Sequence, residues 1–598
     1  MGSLDSPPRY VILTANRRRR RRIRGEEMGE IKKLWRIAAV YPARYIFLLI
    51  EGCIVSLMLM GAGLIYGLLV NMVADGKQLS EIAMYCGLSV AYIVAACLLR
   101  WHNRYLMDKY ASDVITHFRS AYVESLLNAP FGKITEEGIA RYLNNLESDI
   151  ERVCNTIVYN LHHSLVNCVA VIGSFITILT LNYKILLAML GFVVLMAILP
   201  LFIKKKLDNS ILNVSEKKKS YVDVLKEYLL GIATVKNFCA EENASKIIDA
   251  KNAELNASMR RNAKIDSTAG GLGCMMRELA VVSLIALTCY FVYTGEVAIG
   301  SVLTVFSVGN AFFSGILSVS AVVTYLFSVG SLRDRVFEII DLEKVKRGKD
   351  MRFTSEIAVK DVYFSYPSRP EPILKGLSIS LKKNNKYLIL GKSGSGKSTL
   401  LKLLSAEYLP SSGEITVDSA PYSDYTEKDI SAAVSVSRQT GYIFKRSLKG
   451  NIDFLSDGDE QKLQDTISKC KLDDFVLRLP EGKDTVLDEE LNQVSGGEKL
   501  RINLARALYR HSEILLLDEV TSALDKSTSE DVENALLNIP DKTIVNVCHK
   551  FNDETLPLYD DIYIIEDGKC VLGGSFEQIK DSKLLAAYRN VPSGQAAE

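Results

Sequence analysis

Residues Lys386–Leu404 read KYLILGKSGSGKSTLLKLL, and this stretch decides the fold of the second half of the chain. An apolar segment of strand type leads into a loop with the pattern G-x-x-x-x-G-K-S, and a helix-forming run follows. Glycines in such a loop let backbone amides wrap a phosphate group. Lys397 is placed to reach β- and γ-phosphates, and Ser398 to bind Mg²⁺. The stretch therefore predicts an α/β nucleotide-binding domain.

Two more apolar strands downstream end in side chains suited to act on a nucleotide. ILLLDE ends in Asp518, which suits Mg²⁺, and Glu519, which suits the polarisation of an attacking water molecule. TIVNVCH delivers His549 to the end of a strand, where it can contact a γ-phosphate. Between the phosphate loop and these strands, VSGGE (Val494–Glu498) precedes a helical pattern. Amides at a helix start favour an anion, so one chain carries two anion sites and one ATPase core.

The chain before about residue 330 is dominated by long apolar stretches. A membrane-spanning helix needs roughly 20 mostly apolar residues. Six stretches qualify, near Tyr45–Val70, Ile82–Leu99, Ile157–Leu181, Ile185–Ile203, Leu272–Tyr293 and Val302–Phe327. The predicted fold class is a multidomain membrane protein, with a six-helix all-α transmembrane domain followed by an α/β P-loop NTPase domain.

The distribution of basic residues predicts the orientation in the membrane. Connections between the spans alternate between short and long, and basic residues concentrate in the N-terminus and the long connections. By the positive-inside rule, both termini and the long connections face the cytoplasm. The run of six arginines at Arg17–Arg22 suits a basic anchor on anionic lipid. Whether translation starts at Met1 or at Met28 stays open.

Charged side chains inside predicted spans are costly and often functional. Glu51, in the first span, is the best candidate for a cavity-lining or paired charge, and it hints at a cationic or hydrogen-bonding substrate group. For Arg277 and Glu278, early in the fifth span, we expect interfacial snorkelling. For His162 and His163 we expect helix-end polarity rather than metal ligation. Polar side chains at depth are Asn167 and Asn310.

Composition excludes several other classes of protein. The net charge of +2 gives no general attraction to a polyanion, so a nucleic-acid partner is not expected. The eleven cysteines form no C-x-x-C pair, which disfavours a metal or disulfide framework. We expect them to pack as small hydrophobic side chains.

The region from about Met351 to Tyr588 resembles the nucleotide-binding domain of ABC transporters, with nearly all its motifs in order. This resemblance implies ATP and Mg²⁺ as ligands. It implies the catalytic residues Glu519, His549 and Gln439, and the Mg²⁺ ligands Ser398, Gln439 and Asp518. The nucleotide-binding residues that it implies are Tyr366, Gly391, Ser393, Gly394, Ser395, Gly396, Lys397, Ser398, Thr399, Ser495, Gly496, Gly497 and Asp518.

Small departures from the family pattern fall in the signature and beside it. Val494 and Glu498 stand where Leu and Gln are usual, and Lys550 follows His549 where Arg is usual. DEEL, at Asp488–Leu491, stands where exporters often carry G-E-R-G. The D-loop motif matches Ser522–Asp525.

In this family two nucleotide-binding domains pack head to tail, so that the signature of one closes on ATP held by the Walker A loop of the other. The resemblance therefore implies a homodimer, or a heterodimer with a paralogous half-transporter. It also implies coupling helices in the two long connections, within Pro130–Val153 and Lys226–Ile247. The expected domains are a basic segment (1–30), a transmembrane domain (31–335), a linker (336–355) and an ABC nucleotide-binding domain (356–590).

The expected function is ATP-driven export of an amphipathic substrate across the cytoplasmic or inner cell membrane, by alternating access in a dimer. The substrate could be a small molecule or a peptide, drug-like or lipid-like. An importer with the exporter fold, for a siderophore-like substrate, stays open as an alternative. An ATP-gated channel or a regulatory subunit is a further class, disfavoured by the complete set of catalytic residues.

Overall fold

The computed structural model describes residues 32–342, 348–349, 351–367, 369–454, 458–488, 494–521, 524–549 and 551–589. The basic segment over residues 1–30, with its arginine run and Met28, lies outside the described residues, as do Glu489, Ser522 and Lys550. The chain divides into two compact units. One comprises Met1–Tyr122 and Asn144–Glu338, and the other comprises Val123–Leu143 and Ile339–Glu598.

Six long helices contain all six predicted spans. They are α1 (Pro42–Ala74), α2 (Leu79–Leu127), α5 (Ile150–Leu181), α6 (Tyr183–Leu230), α8 (Glu241–Tyr293) and α9 (Ser301–Ser328). Shorter helices of this part of the chain include α3 (Phe131–Glu137), α4 (Ile139–Asn144), α7 (Ile232–Asn237) and α10 (Gly330–Ile340). A π-helical turn, Asn145–Asp149, leads into α5.

Five of the long helices are long and apolar enough to cross a membrane, judged on the described residues. In α6 the apolar stretch found among those residues is the shorter Tyr183–Met196. The predicted fifth and sixth spans lie in α8 and α9. The prediction of a helical transmembrane domain followed by an α/β domain is confirmed.

Local chemistry explains where several of these helices begin. Pro42 opens α1 at a position where its missing N–H removes no helical hydrogen bond. A single residue, Asn182, separates α5 from α6, and its side chain accepts a 2.8 Å hydrogen bond from the amide of Lys184. This N-cap lets the chain reverse without leaving that amide unsatisfied.

Helices α1 and α9 approach closely because small residues line their contact. A Cβ atom at Gly300 would clash with the carbonyl oxygen of Gly67. Thr304 Oγ1 donates to the carbonyl of Gly63 at 3.2 Å. The spacing of Gly63 and Gly67 gives the small-xxx-small pattern by which spanning helices pack. Asn71 Oδ1 accepts a 2.7 Å hydrogen bond from the amide of Gly300, which fixes the contact.

The second unit contains two β-sheets. The larger has the order β10-β9-β3-β8-β7-β6, and the smaller has the order β2-β1-β4-β5. The strands are β1 (Glu356–Phe364), β2 (Leu374–Lys382), β3 (Lys386–Leu390), β4 (Ser412–Val417), β5 (Ala420–Pro421), β6 (Val434–Ser437), β7 (Ile514–Asp518), β8 (Thr543–Cys548), β9 (Asp561–Glu566) and β10 (Lys569–Gly574).

Helices follow most strands of this unit. They are α11 (Lys397–Leu404), α12 (Glu427–Ala433), α13 (Leu448–Ile452), α14 (Glu460–Lys469), α15 (Asp473–Arg478), α16 (Gly496–Tyr509), α17 (Lys526–Leu537), α18 (Phe576–Ile579) and α19 (Lys583–Arg589).

The centre of the larger sheet is parallel and almost entirely buried. Strand β3 pairs in parallel with β8 and β9, and β7 pairs in parallel with β8 and β6. All residues of β3 and β8 are buried, as continuous apolar runs predict for strands covered on both faces. Parallel strands present their carboxyl ends at one edge, which is where a ligand binds in such sheets.

A buried polar network ties α17 to the sheet. The hydroxyl group of Tyr559 donates to Glu533 Oε1 at 2.5 Å and accepts from Asn546 Nδ2 at 2.7 Å. All three residues are at most 7% exposed. Burial raises the pKa of the Glu533 carboxyl group. The network therefore satisfies polar groups that would otherwise be costly in the interior.

We predict that Tyr559→Phe destabilises the second unit by about 1–3 kcal/mol, because Glu533 and Asn546 each lose a buried hydrogen-bond partner. The measurement is thermal unfolding of the full chain in detergent. Tyr563→Phe is the matched control, because that half-buried tyrosine donates only to the carbonyl of Ser380. Equal midpoints for the two variants would contradict the prediction.

Candidate functional site

The phosphate loop owes its shape to its glycines. Gly394 and Gly396 have φ angles of 78° and 105°, in the left-handed region that side chains disfavour. Gly396 is the N-cap of α11. A Cβ atom at Gly391 would clash with the carbonyl of Ile565 and with Ser395 Oγ. The glycines therefore let the loop turn directly into a helix start, where backbone amides favour an anion.

Lys397 lies almost wholly buried in this loop. Its ammonium group donates to the carbonyls of Gly391 at 2.7 Å and Lys392 at 2.9 Å, and it lies 3.4 Å from His549 Nδ1. Among the described residues no carboxylate oxygen lies within salt-bridge distance of it. Burial lowers the pKa of Lys397, although the charge of Glu519 opposes the shift. A buried cation held by neutral carbonyls suits a polyanionic ligand.

Ser398 and Asp518 provide oxygen atoms of the kind that Mg²⁺ prefers. Ser398 Oγ donates to Asp518 Oδ1 at 3.1 Å, so the carboxyl end of β7 faces the start of α11. Burial raises the pKa of Asp518, against the hydrogen bond from Ser398 and the charge of Lys397. A dication bound beside Asp518 would stabilise its charged carboxylate and so offset the cost of burying that charge. The donor set therefore fits Mg²⁺, with Gln439 close by.

Glu519 follows β7 in an unusual backbone conformation. Its φ of 53° lies in the left-handed region, where non-glycine residues are strained. Its amide donates to the carbonyl of Val547 at 2.9 Å. Oε2 accepts from Gln439 Nε2 at 3.1 Å, and Oε1 lies 2.6 Å from His549 Nε2. The carboxylate is thus held between the two other residues predicted to be catalytic.

Most of these groups line one cleft with a volume of about 520 Å³, within the range of small-molecule sites, whereas Gly391, Ser395 and Asp518 adjoin it without lining it. Residues predicted for the site that line it are Ser393, Gly394, Gly396, Lys397, Ser398, Thr399, Gln439, Glu519 and His549. Residues that the sequence did not single out are Arg369, Glu371, Pro372, Ile373, Lys375 and Asp567. Lys375 forms a 2.5 Å ion pair with Asp567, and this long-range pairing has no sequence signal.

Tyr366 adjoins the phosphate-loop helix without lining the cleft. Its hydroxyl group lies 3.2 Å from Thr399 Oγ1. The ammonium group of Lys402 lies 5.1 Å from the centre of the ring, as in a cation–π contact. The ring of Tyr408 packs edge-on against it. The Tyr366 ring is therefore held beside the site by Thr399 and Lys402, which lie on α11, and by Tyr408, which follows that helix.

The signature residues lie apart from this cleft in the same chain. Ser495 is the N-cap of α16, and it forms a capping box with Glu498. Ser495 Oγ donates to Glu498 Oε2 at 2.8 Å, and Arg478 pairs with Glu498 Oε1 at 2.5 Å. Burial opposes ionisation of Glu498, but the bonds from Ser495 and Arg478 outweigh it and lower the pKa. Gly496 and Gly497 start the helix, so the predicted second anion site is a true helix start.

The tip of the first long connection packs within the second unit. The amide of Phe131 donates to Glu427 Oε2 at 3.0 Å, and the guanidinium group of Arg438 lies 5.1 Å from the centre of the Phe131 ring. Thr135 Oγ1 lies 3.0 Å from the hydroxyl group of Tyr408. Helix α3 therefore contacts the residue that directly precedes Gln439 in the chain.

Family models match both halves of the chain. Residues 45–317 match the ABC transporter transmembrane region, and residues 374–522 match the ABC transporter model. The chain belongs to the ABC transporters, as an exporter-type half-transporter with its transmembrane region fused before its nucleotide-binding domain. It is a multi-pass membrane protein that binds ATP, and its family implies ATPase activity.

Several known proteins are similar over most of this chain. It is 27% identical to ABC transporter B family member 1 of Dictyostelium discoideum, over 86% of this chain but only 57% of that protein. It is 25% identical to the ATP-dependent lipid A-core flippase of Photobacterium profundum, over 84% of this chain and 88% of that one. The structure of a bacterial Atm1-family ABC exporter with ATP bound has the same fold, with a TM-score of 0.82 and 20% identity, covering 93% of this chain and 100% of that chain.

We predict that Lys397→Ala weakens ATP binding by at least about tenfold, because the variant loses a buried charge-assisted contact to phosphate. Lys392→Ala is the matched control, since that side chain is exposed and only its carbonyl contributes to the loop. Both affinities are measured by titration calorimetry on the full chain. An equal loss in the two variants would show that the ammonium group of Lys397 has no special role.

Proposed function

We propose that this chain exports an amphipathic substrate, driven by ATP that is hydrolysed at sites shared between two copies of the chain. The observation that carries the proposal is the position of Glu519. Its carboxylate lies between Gln439 and His549, at the sheet edge where Lys397 and Asp518 also lie. This arrangement matches what hydrolysis of a terminal phosphate needs.

In the proposed mechanism, each group at the carboxyl ends of the parallel strands has one role. Lys397 and the loop amides hold the β- and γ-phosphates. Ser398, Asp518 and Gln439 would hold Mg²⁺, and a bound Mg²⁺ would supply positive charge to neutralise the charge that develops on the phosphate oxygens. Glu519 orients the attacking water and accepts a proton from it.

His549 completes the proposed machinery from the neighbouring strand. It adjoins both the carboxylate of Glu519 and the ammonium group of Lys397. From this position it can donate a hydrogen bond to a γ-phosphate while it fixes the Glu519 side chain. The Tyr366 ring would stack on adenine at the margin of the site.

The signature supports a site built from two chains. Ser495, Gly496 and Gly497 do not line the cleft of their own chain, yet they lie at the start of a 14-residue helix. The amide of Ser495 already donates to Glu498 Oε2, so the amides of Gly496 and Gly497 are those that an anion would meet. We propose that they close over ATP held by the partner copy. A homodimer provides both halves from one sequence, and a paralogous half-transporter stays the alternative partner.

The contact of α3 with the nucleotide-binding domain suggests how hydrolysis is coupled to transport. In this proposal, a change at the γ-phosphate moves Gln439 and with it the preceding residue, Arg438. The guanidinium group of Arg438 contacts the ring of Phe131, which is the first residue of α3. ATP shifts the transporter toward its outward-facing state only by its higher affinity for that state. We propose alternating access on this basis.

Direction, substrate class and location are part of the same proposal. The similarity to a protein named a lipid A-core flippase favours export of an amphiphile over import of a siderophore-like substrate. Both termini and the long connections lie in the cytoplasm. The domain limits that we propose are 1–30, 31–335, 336–355 and 356–590. The complete catalytic set disfavours a channel or a regulatory subunit.

The first test is ATPase activity of the full chain in lipid nanodiscs, beside Glu519→Gln. We expect the variant to lose a factor of about 10²–10⁴ in turnover while it keeps its ATP affinity, because only the base is lost. Glu513→Gln is the matched control, because Glu513 lies before the other end of β7 and pairs with Lys383. Full activity in Glu519→Gln would refute the catalytic assignment.

The coupling contact is tested separately. We predict that Phe131→Ala lowers the stimulation of ATPase activity by substrate at least about fivefold, the scale of a coupling free energy of about 1 kcal/mol. Basal ATPase activity stays. Ile139→Ala is the control, since that apolar residue of the same connection is 73% exposed. If substrate stimulated the ATPase activity of Phe131→Ala as much as that of the wild type, α3 would have no part in coupling.

A further inference from the structure

A second cavity lies in the nucleotide-binding domain, at the edge of the larger sheet. Its volume is about 600 Å³, within the range of small-molecule sites, and its described lining residues all differ from those of the nucleotide cleft. Its walls come from the edge strand β6, from α16, and from residues at the end of α13 and the start of α14. We call it the edge cavity, and its lining includes Ser435, Phe454, Lys462, Arg506, Tyr509 and Arg510.

The wall of the edge cavity contains a cation with neutral partners. The guanidinium group of Arg506 donates to the carbonyl of Asn451 at 2.7 Å and to the carbonyl of Tyr442 at 3.1 Å. The centres of the Phe444 and Phe454 rings lie 5.7 Å and 5.6 Å from it. Burial lowers the pKa of Arg506. Among the described residues no carboxylate lies within salt-bridge distance of this guanidinium group, so its charge is not neutralised locally.

Two further cations line the edge cavity and are available to a ligand. Arg510 directly follows α16 and is exposed, and its side chain forms no hydrogen bond or ion pair with any described residue. Lys462, on α14, is half-buried, and its ammonium group lies 4.9 Å from the centre of the Tyr509 ring. In the part of the chain that the structure describes, Lys462 also has no ion-pair partner. An anion in the cavity would therefore meet two cations that can turn toward it.

Two carboxylates also line the edge cavity, and they are fewer than the cations. Asp459 is the N-cap of α14, and its Oδ1 accepts a 3.0 Å hydrogen bond from the amide of Lys462. Burial lowers the pKa of Lys462, although the charge of Asp459 opposes the shift. Asp453 directly follows α13. Three cations against two carboxylates leave the described wall with a net positive charge of one.

The surroundings of the edge cavity add to this positive charge. Burial lowers the pKa of Lys542, which precedes β8, to about 8, and the charges of three other lysines contribute to the shift. These lysines are Lys462, Lys386 and Lys469. Like charges that lie close together make the charged form of each lysine less favourable. The charge that this part of the domain lacks is therefore negative, and an anionic ligand would supply it.

Apolar and aromatic side chains form much of the remaining wall. Val436, Ile452 and Ala507 provide aliphatic surface, and Tyr509 and Phe454 provide rings. Phe454 is 48% exposed, so its ring can contact a ligand that enters the cavity. Aromatic rings contribute large contact areas and favour flat partners in stacked or edge-on arrangements. The wall therefore combines positive charge with a surface suited to an aromatic group.

One hydroxyl group in the wall has unused hydrogen-bonding capacity. Ser435, on β6, is 3% exposed, and among the described residues its Oγ has no hydrogen-bond partner. A buried hydroxyl group without a partner is costly. An oxygen atom of a ligand held against this wall would provide the missing acceptor.

We propose that the edge cavity is a second ligand site, which binds a small aromatic anion. Arg510 and Lys462 make the charged contacts, and the Phe454 ring and the aliphatic wall contact the aromatic body. Hydrogen bonds to an ionised acceptor are roughly twice as strong as those between neutral groups, so the site prefers an anion to a neutral molecule of the same shape. This site goes beyond the proposed export function and takes no part in hydrolysis.

A ligand in the edge cavity would stabilise the segment that follows Gln439. Asn503 lines the cavity, and its Nδ2 donates to the carbonyl of Arg438 at 2.9 Å. Arg506 holds the carbonyl of Tyr442 from the same wall. A ligand that packs against these two side chains should therefore slow hydrogen exchange over residues 438–444, because local opening of this segment becomes less favourable.

The test compares two ligands that share a ring system and differ in charge, naphthalene-2-carboxylate and naphthalene-2-carboxamide. Each is titrated by calorimetry into the full chain in phosphatidylcholine nanodiscs, with empty nanodiscs as the blank. A non-hydrolysable ATP analogue fills the nucleotide cleft throughout. We expect saturable binding of the carboxylate, with a Kd at least about tenfold below that of the carboxamide. Hydrogen exchange of the same samples should slow over residues 438–444 when the carboxylate binds.

Charge-removing variants locate the binding. Arg510→Gln and Lys462→Gln should each raise the Kd of the carboxylate at least about fivefold and leave that of the carboxamide unchanged. Lys469→Gln is the matched control, because Lys469 lies on the same helix as Lys462 but pairs with Asp465 outside the cavity. It should leave both affinities unchanged. Arg510→Lys retains the charge and should keep the preference for the carboxylate.

Three results would overturn the proposed site. The first is an equal Kd for the carboxylate and the carboxamide in the wild type. The second is a carboxylate Kd that is the same in the wild type, Arg510→Gln and Lys462→Gln, which would place the binding elsewhere, as in the transmembrane domain. The third is slower hydrogen exchange that excludes residues 438–444. None of these results depends on ATP hydrolysis, so they are separate from a failure of the proposed export function.

Discussion

The candidate active site lies at the carboxyl ends of β3, β7 and β8. Its geometry depends on the parallel pairing of β3 and β7 with β8. Leu390 pairs with Cys548, and Asp518 pairs with Val547, so three strands end at the same level. The next residues along each strand are the phosphate loop, Glu519 and His549. A shift in this register would separate Glu519 from Lys397 even if the sequences of the loops were unchanged.

The same geometry supports the proposal that one chain makes only part of the site. The edge supplies Lys397, Glu519 and His549, but Ser495 begins a helix that does not border the cleft. Its capping box with Glu498, neutralised by Arg478, keeps that helix start formed in a single copy. A helix start that is formed in one copy and borders no cleft of its own chain is what the proposed association of two copies requires. In the proposed dimer, nucleotide binding and dimerisation would stabilise each other.

The sequence predicted nine of the residues that line the cleft, because phosphate and Mg²⁺ chemistry restricts residue types within short motifs. It also placed the six long helices of the first unit, five of which are long and apolar enough to cross a membrane among the described residues, since apolar length is a local property. It missed the pairing of Glu51 with His102, the contact of Arg438 with Phe131, and the Tyr559 network. These depend on residues far apart in the chain, and no local pattern marks them.

Complementation between two inactive variants tests the shared site most directly. Lys397→Ala has a defective phosphate loop, and Ser495→Arg has a blocked signature. Each alone is expected to form inactive dimers. Co-expressed and purified through two different tags, the mixed dimer has one site with an intact loop and an intact signature. The account predicts ATPase activity in the mixed dimer, well above that of either variant alone. A mixed dimer as inactive as its parents would contradict a site built from two chains.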